Sequence, residues 1–162
     1  MSEERARGLR LATLVYVRAG DRTLMIHRNA RPDDMHYGKW NGLGGKLEPG
    51  ESPEACMRRE VLEESGLTVE EAVWKGVLTF PDFDGRHDWY AFVYLVTRTA
   101  GSLGPDPDEG QLRWVATADL PTLDLWEGDR VFLPWLDRPG TFSATFRYRE
   151  GRLVDHEVAF YP

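Results

Sequence analysis

Glutamates are concentrated in residues 42–67 of this 162-residue chain, and this stretch contains six of them. Three of the six, Glu60, Glu63 and Glu64, lie within five consecutive positions. Like charges three or four residues apart destabilise a helix by roughly 0.2–0.5 kcal/mol per pair. Hard divalent cations such as Mg²⁺ bind carboxylate oxygens, so a bound metal would turn this repulsion into coordination. The alternative is an acidic helix face that is simply solvated.

A helix over about residues 53–65 is predicted to position these carboxylates. Ser52 and Pro53 are typical of an N-cap and a first helical position, and Gly66 is typical of a C-terminal cap. At about 100° per residue, the three glutamates share one third of the circumference. On the other side of the helix, the same geometry places Ala55, Arg58, Val61 and Leu62. We expect the three apolar members of that group to pack on a sheet while the carboxylates face outward.

The remaining elements predict a mixed sheet rather than a regular βαβ fold. Strand-forming residues predict strands over 9–17, 23–27, 73–80, 89–97, 112–116, 141–149 and 153–161. Short helices are predicted near 117–121 and 129–136, and polar loops over 29–39 and 101–110. Because strands and helices do not alternate regularly, helices packed on a mixed sheet are favoured.

Composition and charge exclude several classes of protein. Hydrophobic residues make up 41% of the chain and charged residues 29%, and no apolar run approaches the ~20 residues of a membrane-spanning helix. The N-terminal stretch MSEERARGLR lacks the apolar core of a secretory signal. The single cysteine, Cys56, fits a reducing, cytoplasmic location. The net charge of −7 argues against nonspecific nucleic-acid or membrane binding, and the length predicts one domain, residues 1–162.

Nine residues match the Nudix box position by position. The box reads Gly, five residues, Glu, seven residues, Arg-Glu, an aliphatic residue, any residue, Glu-Glu, any residue, Gly and an aliphatic residue. It is filled here by Gly45, Glu51, Arg59, Glu60, Val61, Glu63, Glu64, Gly66 and Leu67. The sequence therefore resembles the Nudix hydrolases. The resemblance implies an α+β protein with the Nudix fold, an α/β/α sandwich with a mixed β-sheet, and metal-dependent cleavage of a nucleoside diphosphate linked to another group.

The resemblance also implies a site for Mg²⁺ or Mn²⁺. Its ligands would be helix carboxylates, the backbone carbonyl of a loop glycine and one further loop acid: Glu60, Glu63, Glu64, Gly44 and Glu109. Glu109 is otherwise a solvated loop residue. One of the helix glutamates, or a loop carboxylate, would act as general base, and the residues leave open which one.

Two further members of the box are predicted to hold the site together. Arg59 and Glu51 belong to the catalytic motif by resemblance, and their charges favour an ion pair that pins the glycine loop to the helix. Lys46 is either a phosphate contact or a solvated side chain.

Residues outside the box resemble the MutT-like branch, whose members hydrolyse 8-oxo-dGTP. The likeness covers about residues 11–161, including "WNGLGGK" at 40–46, "LDLWEGDRVFLPWL" at 123–136, the spacing from Glu109 to Trp114 and the C-terminal hairpin. It implies hydrolysis of a purine nucleoside triphosphate, such as 8-oxo-dGTP, to the monophosphate and diphosphate, which would sanitise the nucleotide pool and so serve DNA repair.

This branch and the chemistry of the side chains give eight candidate substrate-binding residues. They are Thr13, Arg28, Asn41, Lys46, Phe80, Trp126, Asp129 and Phe132. The Asn41 amide can read a purine edge, unless it is a turn residue. Asp129 can accept from guanine N1–H and the 2-amino group, or donate to the 6-oxo group if protonated. The rings of Phe80, Trp126 and Phe132 offer faces for stacking. The alternative for Trp126 is a structural position in the core.

The sequence departs from this branch in two places. In the related animal enzyme, two consecutive aspartates follow the tryptophan, whereas here Glu127 and Gly128 precede Asp129. One base-reading carboxylate is therefore missing unless Glu127 replaces it. The loop at 29–39 is also longer. The histidines show no metal-ligand spacing and are predicted to be surface or structural residues: His27, His36, His87 and His156.

Two other functions are compatible with the sequence. One is a Nudix hydrolase for other nucleoside triphosphates, nucleotide sugars, ADP-ribose or dinucleoside polyphosphates. The other is a Nudix-fold sensor without turnover, against which the intact Arg59, Glu60, Glu63 and Glu64 argue. The expected partner is a small nucleotide, with no nucleic acid polymer and no membrane, bound by a monomer or homodimer.

Overall fold

Eight strands form one mixed sheet within residues 6–162, the part of the chain that the computed structural model describes. The strands are β1 (Gly8–Ala19), β2 (Arg22–His27), β3 (Trp40–Asn41), β4 (Thr68–Phe80), β5 (His87–Ala100), β6 (Gln111–Ala116), β7 (Thr141–Arg149) and β8 (Arg152–Tyr161). The prediction for the charged N-terminus rests partly on residues 1–5, which lie outside the described part.

The strand order is β3-β2-β1-β5-β4-β7-β8, and β6 pairs with β2. β1 and β5 run parallel, as do β4 and β7, while the other pairs are antiparallel. This arrangement confirms the predicted mixed sheet. The predictions fell short of it in two places: β4 begins five residues before its predicted start, and the two-residue β3, directly after the loop predicted over 29–39, was not predicted.

Helices cover both faces of the sheet. They are α1 (Pro53–Ser65), α2 (Glu127–Phe132) and the 3₁₀ helices Thr117–Thr122 and Leu133–Asp137. Successive strand residues point to opposite faces. Val15 and Val17 accordingly pack with Val61 of α1, whereas Tyr16 between them packs with Phe132 of α2. The result is three layers, as the α/β/α sandwich prediction requires. No helix within residues 6–162 combines the length and apolar character needed to cross a membrane.

α1 has the predicted bounds but not the predicted orientation. At the N-terminus of α1, Ser52 accepts a hydrogen bond from the Ala55 N–H. At its C-terminus, Gly66 adopts φ +78°. Leu62, however, is 52% exposed and Ala55 is also exposed. The prediction that these two pack on the sheet is wrong.

The buried face of α1 is instead formed by Cys56, Met57, Val61, Glu64 and Ser65. On a helical projection, these residues centre about 25° from Glu64. The acidic arc and the buried arc therefore overlap, and the expectation that all three carboxylates face outward fails for Glu64.

The glycine loop lies between β1 and α1. The N–H of Thr13 donates to the Gly45 carbonyl at 2.9 Å, and Val15 and Leu43 exchange hydrogen bonds at 2.7 and 2.9 Å. The loop thus continues the pairing of β1 as an extra, irregular strand. This pairing fixes the position of the loop against β1.

Candidate active site

Two glycines let the loop approach its neighbours closely. Gly44 has φ +127°, and a Cβ added there would lie 2.1 Å from the Thr13 carbonyl oxygen. A Cβ on Gly45 would lie 2.5 Å from Glu60 Oε1. Any side chain at these positions would therefore displace either β1 or the Glu60 carboxylate.

Arg59 joins the loop to the helix. Its guanidinium donates to both Glu51 oxygens at 2.7 and 2.8 Å, to Glu60 at 2.8 Å and to the Lys46 carbonyl at 3.1 Å. Hydrogen bonding to Arg59 lowers the pKa of Glu51 to about 2. The predicted ion pair between Arg59 and Glu51 is confirmed, and it fixes the loop through a bidentate contact.

The three helix glutamates differ sharply in environment. Glu64 is 7% exposed and accepts a hydrogen bond from the Gly44 N–H at 2.8 Å. The Glu60 side chain is 16% exposed, whereas that of Glu63 is 58% exposed and lies 3.2 Å from Arg59. Only the first two therefore belong to the interior of the site.

Burial and mutual repulsion act on these carboxylates. Burial raises the pKa of Glu64 to about 8, with the charges of Glu60 and Glu109 contributing to the rise and the Gly44 hydrogen bond opposing it. Burial also raises the pKa of Glu60, with Glu63 and Glu109 adding to the effect. Glu109 is thus close enough to act on both helix carboxylates.

The donor chemistry of this group fits a hard divalent cation, although the side chains are not gathered around one point. Among residues 6–162, no group of three or more histidine, cysteine, aspartate or glutamate side chains stands together as a metal cluster. Glu60 points to Arg59 and Glu64 to Gly44. Oxygen-only donors whose charges repel one another favour Mg²⁺ over softer metals.

A cavity of about 550 Å³ opens beside the loop. Its lining includes seven of the eight predicted substrate-binding residues: Thr13, Arg28, Asn41, Lys46, Phe80, Trp126 and Asp129. Phe132 is the exception. It is fully buried between Tyr16 and Phe146 in the core, so its ring has no face left for a ligand.

Cationic side chains stand at the loop end of this cavity. Arg28 pairs with Asp34 at 2.7 Å, and its charge lowers the pKa of Glu64. The Nζ of Lys46 lies 5.6 Å from the centre of the Trp89 ring. Both cations line the cavity beside Gly44, where they would compensate a polyanionic ligand.

A buried carboxyl group lies at the opposite end. Asp129 is 8% exposed and lines the cavity. Burial raises its pKa to about 7, against the lowering effect of the Arg130 and Lys39 charges. Near neutral pH this group therefore exists in both protonation states, and both roles considered for it remain chemically accessible.

Aromatic side chains that the sequence did not single out complete this end. Phe83 meets Trp126 edge-on at 5.0 Å, and Tyr148 meets Trp126 at 5.7 Å. His36, predicted to be a surface or structural residue, lines the cavity, and its Nδ1 accepts the Trp126 indole N–H at 2.9 Å. Burial lowers the pKa of His36 to about 4, so the ring is neutral. Aromatic residues within polar loops were the available signal for Phe83.

The departure from the two-aspartate pattern has a steric cause. Glu127 is not part of the cavity lining and accepts hydrogen bonds from Arg152 and the Leu153 N–H, so it does not replace the missing acid. A Cβ on Gly128 would lie 2.7 Å from the Tyr148 hydroxyl oxygen. An aspartate at this position would have to displace the Tyr148 or Phe146 ring.

Comparison with known proteins assigns the chain to a family. The profile of the NUDIX domain matches residues 8–136, well over half of the sequence. The chain therefore belongs to the Nudix family. Enzymes of this family generally use a divalent metal and act on small nucleotides.

Individual relatives refine this assignment. The chain is 30% identical over 151 residues to the oxidized purine nucleoside triphosphate hydrolase of Danio rerio, covering 92% of this chain and 94% of the relative. The mouse protein of the same name is 29% identical over 141 residues, covering 87% and 88%. The crystal structure of the MutT mutator protein of Bacillus halodurans superposes with a TM-score of 0.82 at 27% identity, covering 93% and 97%. These matches confirm the Nudix fold and a MutT-like Nudix hydrolase.

Proposed function

We propose that the protein hydrolyses a purine nucleoside triphosphate of the 8-oxo-dGTP type to the nucleoside monophosphate and diphosphate. One observation carries the proposal: a single cavity joins the glycine loop of the Nudix box to a buried carboxyl group surrounded by aromatic rings. The first end suits phosphates and the second suits a base. The relatives named for oxidised purine nucleotides support the same substrate class.

The purine would lie at the aromatic end. Trp126 and Phe80 line the cavity as flat faces for stacking. The Asp129 carboxylate would accept from N1–H and the 2-amino group, which guanine-type bases present together. Asn41, also in the lining, would add a pair of amide hydrogen bonds.

The phosphates would lie at the loop end. Lys46 and Arg28 face them as cations, and Gly44 and Gly45 present backbone without side chains. Glu60, Glu64 and Glu109, with the Gly44 carbonyl, would hold Mg²⁺, or Mn²⁺ in its place; the more exposed Glu63 would complete the acidic group. A bound divalent cation supplies charge neutralisation and an acidified water molecule.

The protein groups then have three tasks in the reaction. A glutamate of the acidic group accepts a proton from the attacking water. The water oxygen adds to phosphorus as the bridging P–O bond breaks. Lys46 and Arg28 compensate the charge on the departing diphosphate. Arg59 and Glu51 keep the loop and α1 at a fixed separation throughout.

A substrate panel assayed with Mg²⁺ tests this function. It compares kcat/KM for 8-oxo-dGTP, dGTP, other nucleoside triphosphates, ADP-ribose and diadenosine polyphosphates. The proposal expects the highest value for 8-oxo-dGTP or another purine triphosphate, with monophosphate and diphosphate as products. A preference for ADP-ribose would contradict it, and absence of all turnover would favour a sensor.

A further inference from the structure

Tyr148 reaches the base end of the cavity from β7, beyond the residues that the family profile matches. Its ring is fixed by edge-on contacts with Phe83 at 5.2 Å and Trp126 at 5.7 Å. It also lies 6.4 Å from Phe80. The position of its hydroxyl group is therefore set by three rings that line the same cavity.

The hydrogen bonding of this hydroxyl leaves its proton available. The oxygen accepts the Gly128 N–H at 2.7 Å. Within residues 6–162, no carbonyl or carboxylate oxygen accepts the hydroxyl hydrogen in return. A phenol oxygen that accepts one bond still carries one donor, so Tyr148 can donate to a ligand in the cavity.

The hydroxyl also occupies the space beside Asp129 that a side chain at position 128 would need. A Cβ on Gly128 would lie 2.7 Å from the Tyr148 oxygen and 2.8 Å from Phe146 Cδ1. The base end thus combines one carboxyl group with one hydroxyl donor instead of two carboxyl groups. Burial, together with the nearby Asp129 charge, raises the pKa of Tyr148, so the donor stays protonated.

We propose that Tyr148 is a specificity-determining residue that donates a hydrogen bond to the 6-oxo group of the purine while Asp129 accepts from the adjacent N1–H. The inference rests on the proposed function and narrows it to 6-oxopurines. A 6-aminopurine presents the reverse pattern, a donor at C6 and an acceptor at N1, and so mismatches the Tyr148 donor and the ionised Asp129 carboxylate. Buried groups left unpaired in this way disfavour the wrong base.

The test is Tyr148→Phe, assayed with 8-oxo-dGTP and 8-oxo-dATP, which share the modified C8 and differ at the edge in question. We expect the ratio of the two kcat/KM values to fall about tenfold, the effect of one hydrogen bond. The ratio does not depend on the amount of folded enzyme, so a loss of stability from the unpaired Gly128 N–H does not affect it. Tyr161→Phe, at an exposed tyrosine of β8, is the matched control and should leave the ratio unchanged.

A second measurement separates base reading from chemistry. The Kd values of dGMP and dAMP, measured by calorimetry without metal, should show the same loss of discrimination in Tyr148→Phe. If the wild type prefers 8-oxo-dGTP and Tyr148→Phe keeps the same ratio of kcat/KM values, the role of Tyr148 is overturned while the proposed function stands. A wild-type enzyme without purine triphosphate turnover would overturn the proposed function and this inference with it.

Discussion

The two ends of the cavity are built in opposite ways. Most of the loop end is drawn from one continuous stretch, from Gly44 to Glu64, whose charged side chains are linked by Arg59. Arg28 and Glu109 join it from other segments of the chain. The base end brings together distant segments, with Trp126 bonded to His36, 90 positions away, and in ring contact with Tyr148 of β7. At the loop end, carboxylates repel one another. At the base end, aromatic rings surround one buried carboxyl group.

This difference explains how one fold can keep its chemistry and change its substrate. Spacing within a single loop and helix fixes the reactive end, so a change there disturbs several contacts together. Each wall of the base end comes from a separate loop or strand, and one wall can change without the others. We therefore expect variants at the loop end to lower kcat, and variants at the base end to alter KM and selectivity.

The largest effect is expected for Glu64→Gln. Glutamine keeps the size of the side chain and can still accept the Gly44 N–H through its amide oxygen, but it cannot ionise to bind a cation. The rate should fall by about 10²- to 10⁴-fold while the circular dichroism spectrum stays unchanged. Glu54→Gln, an exposed change on the same helix, is the matched control. Near-wild-type activity in Glu64→Gln would contradict the assignment.

Alanine substitutions at the two loop glycines should affect different properties, catalysis at Gly45 and stability at Gly44. In Gly45→Ala the new methyl meets the flexible end of Glu60, so kcat should fall about tenfold or more with little change in Tm. In Gly44→Ala it meets the backbone of Thr13 at a positive φ, so stability should fall by about 1–3 kcal/mol. Denaturant unfolding and steady-state kinetics on both variants separate these outcomes. Equal losses of stability would show that Gly45 only shapes the loop.

The buried carboxyl group at the base end should make nucleotide binding depend on pH. The pKa of Asp129 is raised to about 7, so its carboxylate, the form that accepts N1–H, becomes dominant as pH rises through 7. The Kd of dGMP measured without metal should therefore tighten across neutral pH, and Asp129→Asn should remove this dependence.

The same shift has the opposite sign for stability. A raised folded-state pKa means that the folded protein binds more protons between the ordinary aspartate value of 3.8 and about 7. Stability from this group is therefore fully present below 3.8 and falls as pH rises to about 7. Asp129→Asn should be more stable than the wild type above neutral pH. A less stable variant would indicate that the carboxylate is paired.

The smallest effect is expected at His36, which positions the Trp126 ring. His36→Leu removes the acceptor of the indole N–H, so KM for purine triphosphates should rise about threefold with kcat unchanged. His36→Asn supplies a new acceptor and should restore most of the affinity. If both variants behave alike, the hydrogen bond does not fix the ring.

The local parts of the structure were accessible from the sequence. Ser52, Pro53 and Gly66 predicted the bounds of α1 because capping depends on residues next to the helix end. The ion pair of Arg59 with Glu51 followed from the fixed spacing of the box. Both features require only short stretches of chain.

Features that depend on packing were not accessible. The rotation of α1, which buries Glu64 and exposes Leu62, is set by the contacts of the helix with β1 and β4. Phe132 was predicted to stack on a base, but the orientation of α2 points its side chain into the core. Tyr148 gave no signal because its partners lie in other segments of the chain.

A kinetic comparison of Glu64→Gln with Asp129→Asn on 8-oxo-dGTP tests the central claim most directly. If one cavity joins a reactive end to a base-reading end, Glu64→Gln lowers kcat while product binding is kept, and Asp129→Asn weakens dGMP binding and raises KM with a smaller change in kcat. The opposite split, or wild-type KM and dGMP affinity in Asp129→Asn, would contradict the account.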